Sequence, residues 1–457
     1  MTTHSIRRVA LTLLAAGSLV GCSLDSLVDV PRPSNILDPD ALETKDGAIG
    51  MYNGALQEFN RAFMGGQQVN GGSAVTEGNF AVAGGVLSDE YTLAAADDID
   101  QRTDAGGLSG SFTFPVMASA YVNTGQALQY LKLYYPDAPV AYGARLHVNR
   151  GYIAIWMSEL FCSGVPLSEA AEGGKVTYGV PLTTTELQEF AIAQFDTALA
   201  TMGADTGRIA LAARIGRARA YMNLHQYAKA TAEAAKVPTS FSYDATYSSL
   251  VASAAGYFQP GGASDWVTVS NNEGVNGLNF VSAADPRLPV DKVNNFNQID
   301  IYRPHVWRAA GGINIPVENG IDARLIEAEY LLSQGNTTAW LAKLNELRTS
   351  CTSGACASPA PAGTGNVAGL APLTDPGTAA TRLALTFRER GFWLFGAGHR
   401  QGDLRRLVRQ YTMPQSDVYP RGSYISGLLY GIYTNIGIGI HEIEANANYH
   451  GCIDREA

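Results

Sequence analysis

Two stretches of this chain follow the same plan, and a chain built on such a plan folds by stacking helix pairs. In Arg208 to Val237, the small residues Ala212, Ala213, Gly216 and Ala220 allow close helix approach. Leu224-His225-Gln226-Tyr227-Ala228-Lys229-Ala230 then turns the chain into a second helix that stops before Pro238. In Asp322 to Arg348, Leu325, Ala328 and Leu332 share one helical face, Gly335 marks the turn, and Ala339, Leu341, Leu344 and Leu347 line the partner. The same spacing, less regular, pairs Arg145 to Phe161 with Thr185 to Met202, and residues 41–59 with 114–134.

This plan resembles the tetratricopeptide unit of about 34 residues, with its small-residue first helix, tyrosine at the turn and alanine opening the second helix. The expected fold is mainly α, with helical repeats over about 41–59, 114–237 and 321–349. Between them lie three long insertions, about 60–113, 238–320 and 350–380, rich in Gly, Ser, Asn, Thr and aromatic residues. Insertions of that length in a compact protein usually carry function or structure of their own. The first holds glycine-rich patches and an acidic run at Asp97-Asp98-Ile99-Asp100, read as a solvated loop because Arg102 occupies a would-be calcium-ligand position.

The N-terminus carries a positive Arg7-Arg8, a short apolar run from Val9 to Val20, and then Leu19-Val20-Gly21-Cys22. The run is too short to remain as a membrane span and reads as a secretory signal over 1–21. Its ending resembles a bacterial lipobox, which implies cleavage before Cys22, acylation of that thiol and attachment to a membrane by lipid. Residues 22–40, with Pro31, Pro33 and Pro39, read as an extended tether. Four cysteines remain beyond Cys22, an even number in a chain that leaves the reducing cytoplasm. Cys351 and Cys356 bracket a tight loop and are expected to form a local disulfide. Cys162 and Cys452 are compatible with a bridge or with two buried thiols. The net charge of −10 opposes binding to phosphate backbones, so no nucleic-acid partner is expected.

The middle insertion brings Trp266, Phe280, Tyr302 and Trp307 together with Asn271, Asn272, Asn276 and Asn279. Aromatic faces stack on the C–H faces of sugar rings, and amide side chains pair with hydroxyls. Trp266, Asn279, Phe280, Tyr302 and Trp307 are therefore the expected ligand platform, the other reading of each aromatic being a side chain that pins its loop to the core.

The C-terminal segment 387–457 contains Glu389-Arg390, Leu394, Gly398, Arg400, Asp403-Leu404 and Arg406. This spacing resembles the signature of SusD/RagB-type nutrient-binding lipoproteins: Glu-Arg, Glu-Leu, Glu-Gly-x-Arg, Asp-Leu-x-Arg. Trp393 and Ala397 stand where that signature has its two other glutamates. Leu87-Ser88-Asp89-Glu90, Asp285-Pro286-Arg287, Leu325 to Glu329, Leu344 to Arg348 and Val418-Tyr419-Pro420 resemble further family segments in the same order. Arg400 and Asp403, three apart on a helix, are expected to pair within a structural ion-pair network formed with Glu389, Arg390 and Arg406.

The resemblance implies that 41–457 is one SusD-like domain whose repeats form a ridge and whose insertions face the ligand. It further implies capture of an oligosaccharide or peptide at the outer membrane, facing the cell surface, and delivery to a SusC-like, TonB-dependent transporter. No catalysis and no cofactor or metal are expected. His441-Glu442-Ile443-Glu444 lacks the second histidine of a zinc protease helix, and Gly437-Ile438-Gly439 and Gly173-Gly174-Lys175 are incomplete nucleotide loops. A Gly-x-Ser-x-Gly elbow is missing from the sequence. The competing reading is a tetratricopeptide-type scaffold lipoprotein that assembles envelope or extracellular complexes.

Overall fold

The computed structural model describes residues 39–65, 80–94, 102–103, 108–170, 175–248, 250, 267–296, 298–308, 311–350, 367, 370–423, 425 and 427–455. Cys22, Trp266, Cys351 and Cys356 lie outside them. The four expected helix pairs are present. Helix α1 (Lys45–Met64) packs on α3 (Leu108–Tyr134), and α4 (Val140–Leu160) packs on α5 (Thr184–Met202). Helix α6 (Arg208–Asn223) packs on α7 (Tyr227–Ala234), and α8 (Gly320–Ser333) on α9 (Thr337–Ser350). Successive pairs also touch, α3 on α4, α5 on α6 and α7 on α8, so the pairs stack as one array.

Local chemistry sets the ends of these helices. Thr44 caps α1 by accepting from the Gly47 amide, and Thr183 and Glu186 form a reciprocal capping box on α5. The α6–α7 turn needs a left-handed residue, which His225 supplies at φ 59°. Gly335 does the same for the α8–α9 turn at φ 69°, its amide donating to the Leu332 carbonyl.

Close helix approach is visible at Phe195 of α5. A β-carbon on Gly151 of α4 or Gly216 of α6 would lie 2.7 or 2.4 Å from its ring. Both glycines therefore seat one aromatic side chain between three helices.

The first insertion is not only loop. Phe80–Leu87 forms helix α2, buried along its whole length, and α3 begins at Leu108, ahead of the expected start near Phe114. The sequence Phe-Ala-Val-Ala-Gly-Gly-Val-Leu has no polar face, so it shows no helical period. Phe80 stacks on Trp156 at 5.3 Å, in the same cluster as Phe59 at 4.8 Å and Phe63 at 5.4 Å. Arg102 is buried rather than solvated: it donates to the Pro420 carbonyl and sits over the rings of Tyr419 and Tyr430.

The middle insertion is built from short antiparallel pairs. Strand β1 (Tyr91–Leu93) pairs with β3 (Val267–Val269), and β2 (Ser242–Ser248) with β6 (Gly312–Asn319). Strands β4 (Val290–Phe296) and β5 (Ile299–Pro304) form a hairpin. Helices α10 (Ala379–Trp393) and α11 (Arg400–Arg409) follow. The tail then returns to the end of α4, where Cys162 is bonded to Cys452, which settles the pairing that the sequence leaves open. Backbone bonds from Cys162 to Ile436 and between Ser163 and residues 453–454 hold the tail beside that bridge.

Candidate functional site

Helix α11 is rich in charge yet buried from Arg400 to Leu407, so every ionised group on it requires a partner. The family-like segments, far apart in sequence, supply partners for Arg400, Asp403 and Arg406. Arg400 does not pair with Asp403 as expected. It pairs with Asp89, Nε to Oδ1 at 2.5 Å and Nη2 to Oδ2 at 2.9 Å. The Asp89 carboxylate also accepts from the Leu278 amide, which ties α2, α11 and the middle insertion together. Asp403 instead takes Arg390 at 2.7 Å and Arg406 at 2.8 Å. Arg406 continues to Glu329 of α8, and Arg390 reaches Asp322 at 3.1 Å.

Glu389 has no exposed side-chain surface and accepts from Arg287 and Arg348, each at 2.8 Å. Arg287 is held on its other edge by Asp285, with bonds of 2.9 and 2.7 Å. Arg219 of α6 makes a two-pronged pair with Glu159 of α4 and reaches Glu318 of β6 at 2.9 Å. None of Glu159, Arg219 and Glu318 was singled out from the sequence. Their only local sign is an acid inside an apolar run, at Trp156 to Phe161 and at Ile315 to Asn319.

The loop between α10 and α11 folds over this network. Gly396 and Gly398 both sit at φ 71°, and a β-carbon would lie 2.0 Å from Trp307 at the first and 2.3 Å from Phe80 at the second. The Gly396 amide donates to Glu90 at 2.9 Å. Burial pushes the Glu90 carboxyl up to about 8, and the nearby charge of Asp89 adds to the effect. Asp403 is equally buried but is held below its ordinary value, because Arg390 and Arg406 outweigh desolvation.

One group among the described residues offers metal-ligand atoms within 4.8 Å of one another: Glu318, Asp322 and His399. Burial raises both carboxyls, and burial with Arg219, Arg390 and Arg406 drives His399 well below its ordinary value. Three guanidiniums already face this group, so its chemistry is that of a neutral imidazole beside protonated or arginine-bound carboxyls.

The expected ligand platform is not assembled as read. Phe280 is fully buried, 5.1 Å from Phe392 and 4.9 Å from Phe395, and Trp307 is 2% exposed against the Gly396 backbone. Both are core residues, because the loop over the ion-pair network needs an apolar floor. Tyr302 and Asn279 remain half-buried, Tyr302 on β5 opposite Lys292. Three other amides hold loops: Asn271 accepts from the Ser282 amide, Asn272 donates to the Ser282 hydroxyl, and Asn276 donates to the Tyr419 carbonyl.

No family model matches the sequence, and no curated protein does. Solved structures do match. A SusD superfamily protein from Bacteroides fragilis is similar at TM-score 0.62 and 13% identity, over 89% of this chain and 99% of that one. A SusD-like carbohydrate-binding protein from Bacteroides vulgatus is similar at TM-score 0.54 and 13% identity, over 80% and 83%. The surface glycan-binding protein A from Bacteroides uniformis is similar at TM-score 0.56 and 15% identity, over 88% and 99%. With the repeats, the insertions and the buried signature in place, the chain has the fold of the SusD superfamily.

Proposed function

We propose that this protein is a lipid-anchored, non-catalytic nutrient-binding protein at the outer membrane. It captures an oligosaccharide and delivers it to a TonB-dependent transporter; a peptide is the second ligand class. The observation that carries this reading is the fold itself, matched over most of the chain to proteins described as carbohydrate- or glycan-binding. Two further features support it. The acids and bases of the signature are spent on one another in the interior, as expected for a scaffold rather than a reaction centre. No described helix is long and apolar enough to cross a membrane, and acylation of Cys22 would supply the attachment.

The platform proposed is Tyr302 and Asn279 with Trp266, which lies outside the described residues, and without Phe280 and Trp307. Titration calorimetry against a panel of neutral oligosaccharides tests it. A saturable ligand is expected, weakened about thirtyfold in Trp266→Ala/Tyr302→Ala, in line with about 1 kcal/mol for each of the two lost ring contacts. Undiminished binding in that double variant rejects the platform. An absence of any glycan or peptide ligand leaves the scaffold reading.

A further inference from the structure

A second polar cleft lies away from the middle insertion, on the helical side. Its volume is about 420 Å³, and it is bounded by the end of α4, the first turns of α5, the α6–α7 turn and α11. That volume is typical of small-ligand sites, about 300–1,000 Å³. Four side chains lining it carry a buried polar atom with no hydrogen-bond partner: Thr184 Oγ1, Gln188 Oε1, Gln226 Oε1 and one terminal nitrogen of Arg405. Buried polar atoms are normally satisfied, so four orphans around one cleft require an explanation.

Arg405 is the most informative of them. It is 5% exposed, and among the described residues it has no carboxylate at ion-pair distance, unlike Arg219, Arg287, Arg390, Arg400 and Arg406. Its Nη1 donates to the Ser158 and Phe161 carbonyls, at 2.6 and 3.2 Å, and its Nη2 is the orphan. Burial, with the neighbouring Arg409 charge, lowers its pKa to about 10, so it remains a cation at neutral pH. Arg409, also on the cleft wall, is engaged by Asp454, and Glu159 by Arg219. The cleft wall therefore carries one buried guanidinium that, among the described residues, has Glu159 and Asp454 only as more distant charges and no carboxylate at ion-pair distance.

Gln188 is 1% exposed, and its amide orientation is fixed by its neighbours. Ser158 gives its hydroxyl proton to the Ile155 carbonyl, so Gln188 must turn its Nε2 toward Ser158. Its Oε1 is then an acceptor without a donor. The set is one unpaired cationic donor beside amide and hydroxyl oxygens that lack donors. We infer that this cleft is a binding site for a sugar acid, its carboxylate taken by Arg405 and its ring hydroxyls by Gln188, Gln226 and Thr184. The site is separate from the neutral-glycan platform and does not rest on the transporter reading.

The test titrates D-glucuronate and D-glucose into the mature chain, its Gln226→Glu variant and its Arg405→Met variant. Glucuronate is expected to bind saturably, and glucose at least about tenfold more weakly, one charge-assisted bond being worth that much. Gln226→Glu, which places a negative charge at the half-buried rim, is expected to lose about tenfold for glucuronate while leaving any neutral oligosaccharide unaffected. Arg405→Met is expected to abolish glucuronate binding with a melting temperature close to the wild type's, the removal of a buried charge offsetting the loss of its bonds to the Ser158 and Phe161 carbonyls. The inference is overturned if glucuronate binds no better than glucose, or if inorganic sulfate displaces it at equal concentration. It is also overturned if Arg405→Met lowers the melting temperature while binding persists, which would make Arg405 a clasp for the two carbonyls. If Arg405→Met does not fold, Gln226→Glu decides alone: unchanged glucuronate binding rejects the site.

Discussion

At the residue scale, the buried acids fall into two groups with opposite pH behaviour. Asp403 and Asp285 are held low by arginines that outweigh burial, so the stability they contribute is present above 3.8 and lost as pH falls through their folded values. Glu90 is raised from 4.5 to about 8, so its contribution is full below 4.5 and is lost as pH rises toward 8. The melting temperature of the wild type is therefore expected to fall between pH 5 and pH 9. Glu90→Gln, which imitates the protonated form and keeps an acceptor for the Gly396 amide, is expected to make that fall shallower, the raised Glu318, Asp322 and Glu273 supplying the rest, and to match the wild type near pH 5. A variant with the same alkaline slope as the wild type would show that Glu90 is not the group responsible. Glu389 makes the complementary case. It accepts from Arg287 and Arg348 in full burial, so Glu389→Gln leaves guanidinium charge uncompensated and is expected to cost about 3–5 kcal/mol in urea unfolding. The resemblance to the family signature pointed to Glu389, Arg390, Arg400, Asp403 and Arg406 as members of an ion-pair network, but not to Glu159, Arg219 or Glu318. It did not show the pairing. Arg400 and Asp403 are neighbours on one helix, but Asp89 offers Arg400 a two-pronged partner from 311 residues away, a contact that no local spacing encodes.

At the scale of elements, the helices that could be read were the amphipathic ones. Their partners followed from the turns read at Leu224 to Tyr227 and at Gly335, and the structure adds a left-handed His225 and the Thr183 capping box. Helix α2 was missed because a helix buried on all sides has no polar stripe, and the period that reveals a helix is a contrast between faces. Phe280 and Trp307 drop out of the platform for a related reason. An aromatic residue in a loop looks the same in sequence whether it faces a ligand or fastens the loop, and Phe280 and Trp307 fasten it. The close contact of α4, α5 and α6 gives a sharper test of the repeat architecture. Gly216→Ala gains about 1 kcal/mol of helix propensity but sets a β-carbon 2.4 Å from the ring of Phe195, which is itself buried against Tyr152. Overpacking of that kind costs about 1–3 kcal/mol, so the net effect is expected to be destabilising. An increase in stability, measured by the denaturant midpoint, would mean that the three helices are not packed as closely as described.

At the scale of the whole molecule, the repeats form one stacked array, the described parts of the first two insertions add short strands and the buried helix α2, and the signature ties them together in the interior. The Cys162–Cys452 bond, with the backbone bonds around Ser163, returns the tail to the end of α4 and closes the chain on itself. A scaffold of this kind suits a protein that must hold a ligand and release it without reacting with it, since its buried charges serve rigidity and its surface clefts remain free. The central claim is that the protein acts as the binding partner of an outer-membrane transporter. The most direct measurement is copurification of the tagged, lipidated protein from native membranes in mild detergent, followed by identification of what accompanies it. The account predicts a stoichiometric TonB-dependent β-barrel in the eluate, lost when Cys22→Ala removes the site of acylation. Recovery of the protein alone, or with soluble envelope proteins only, would contradict it.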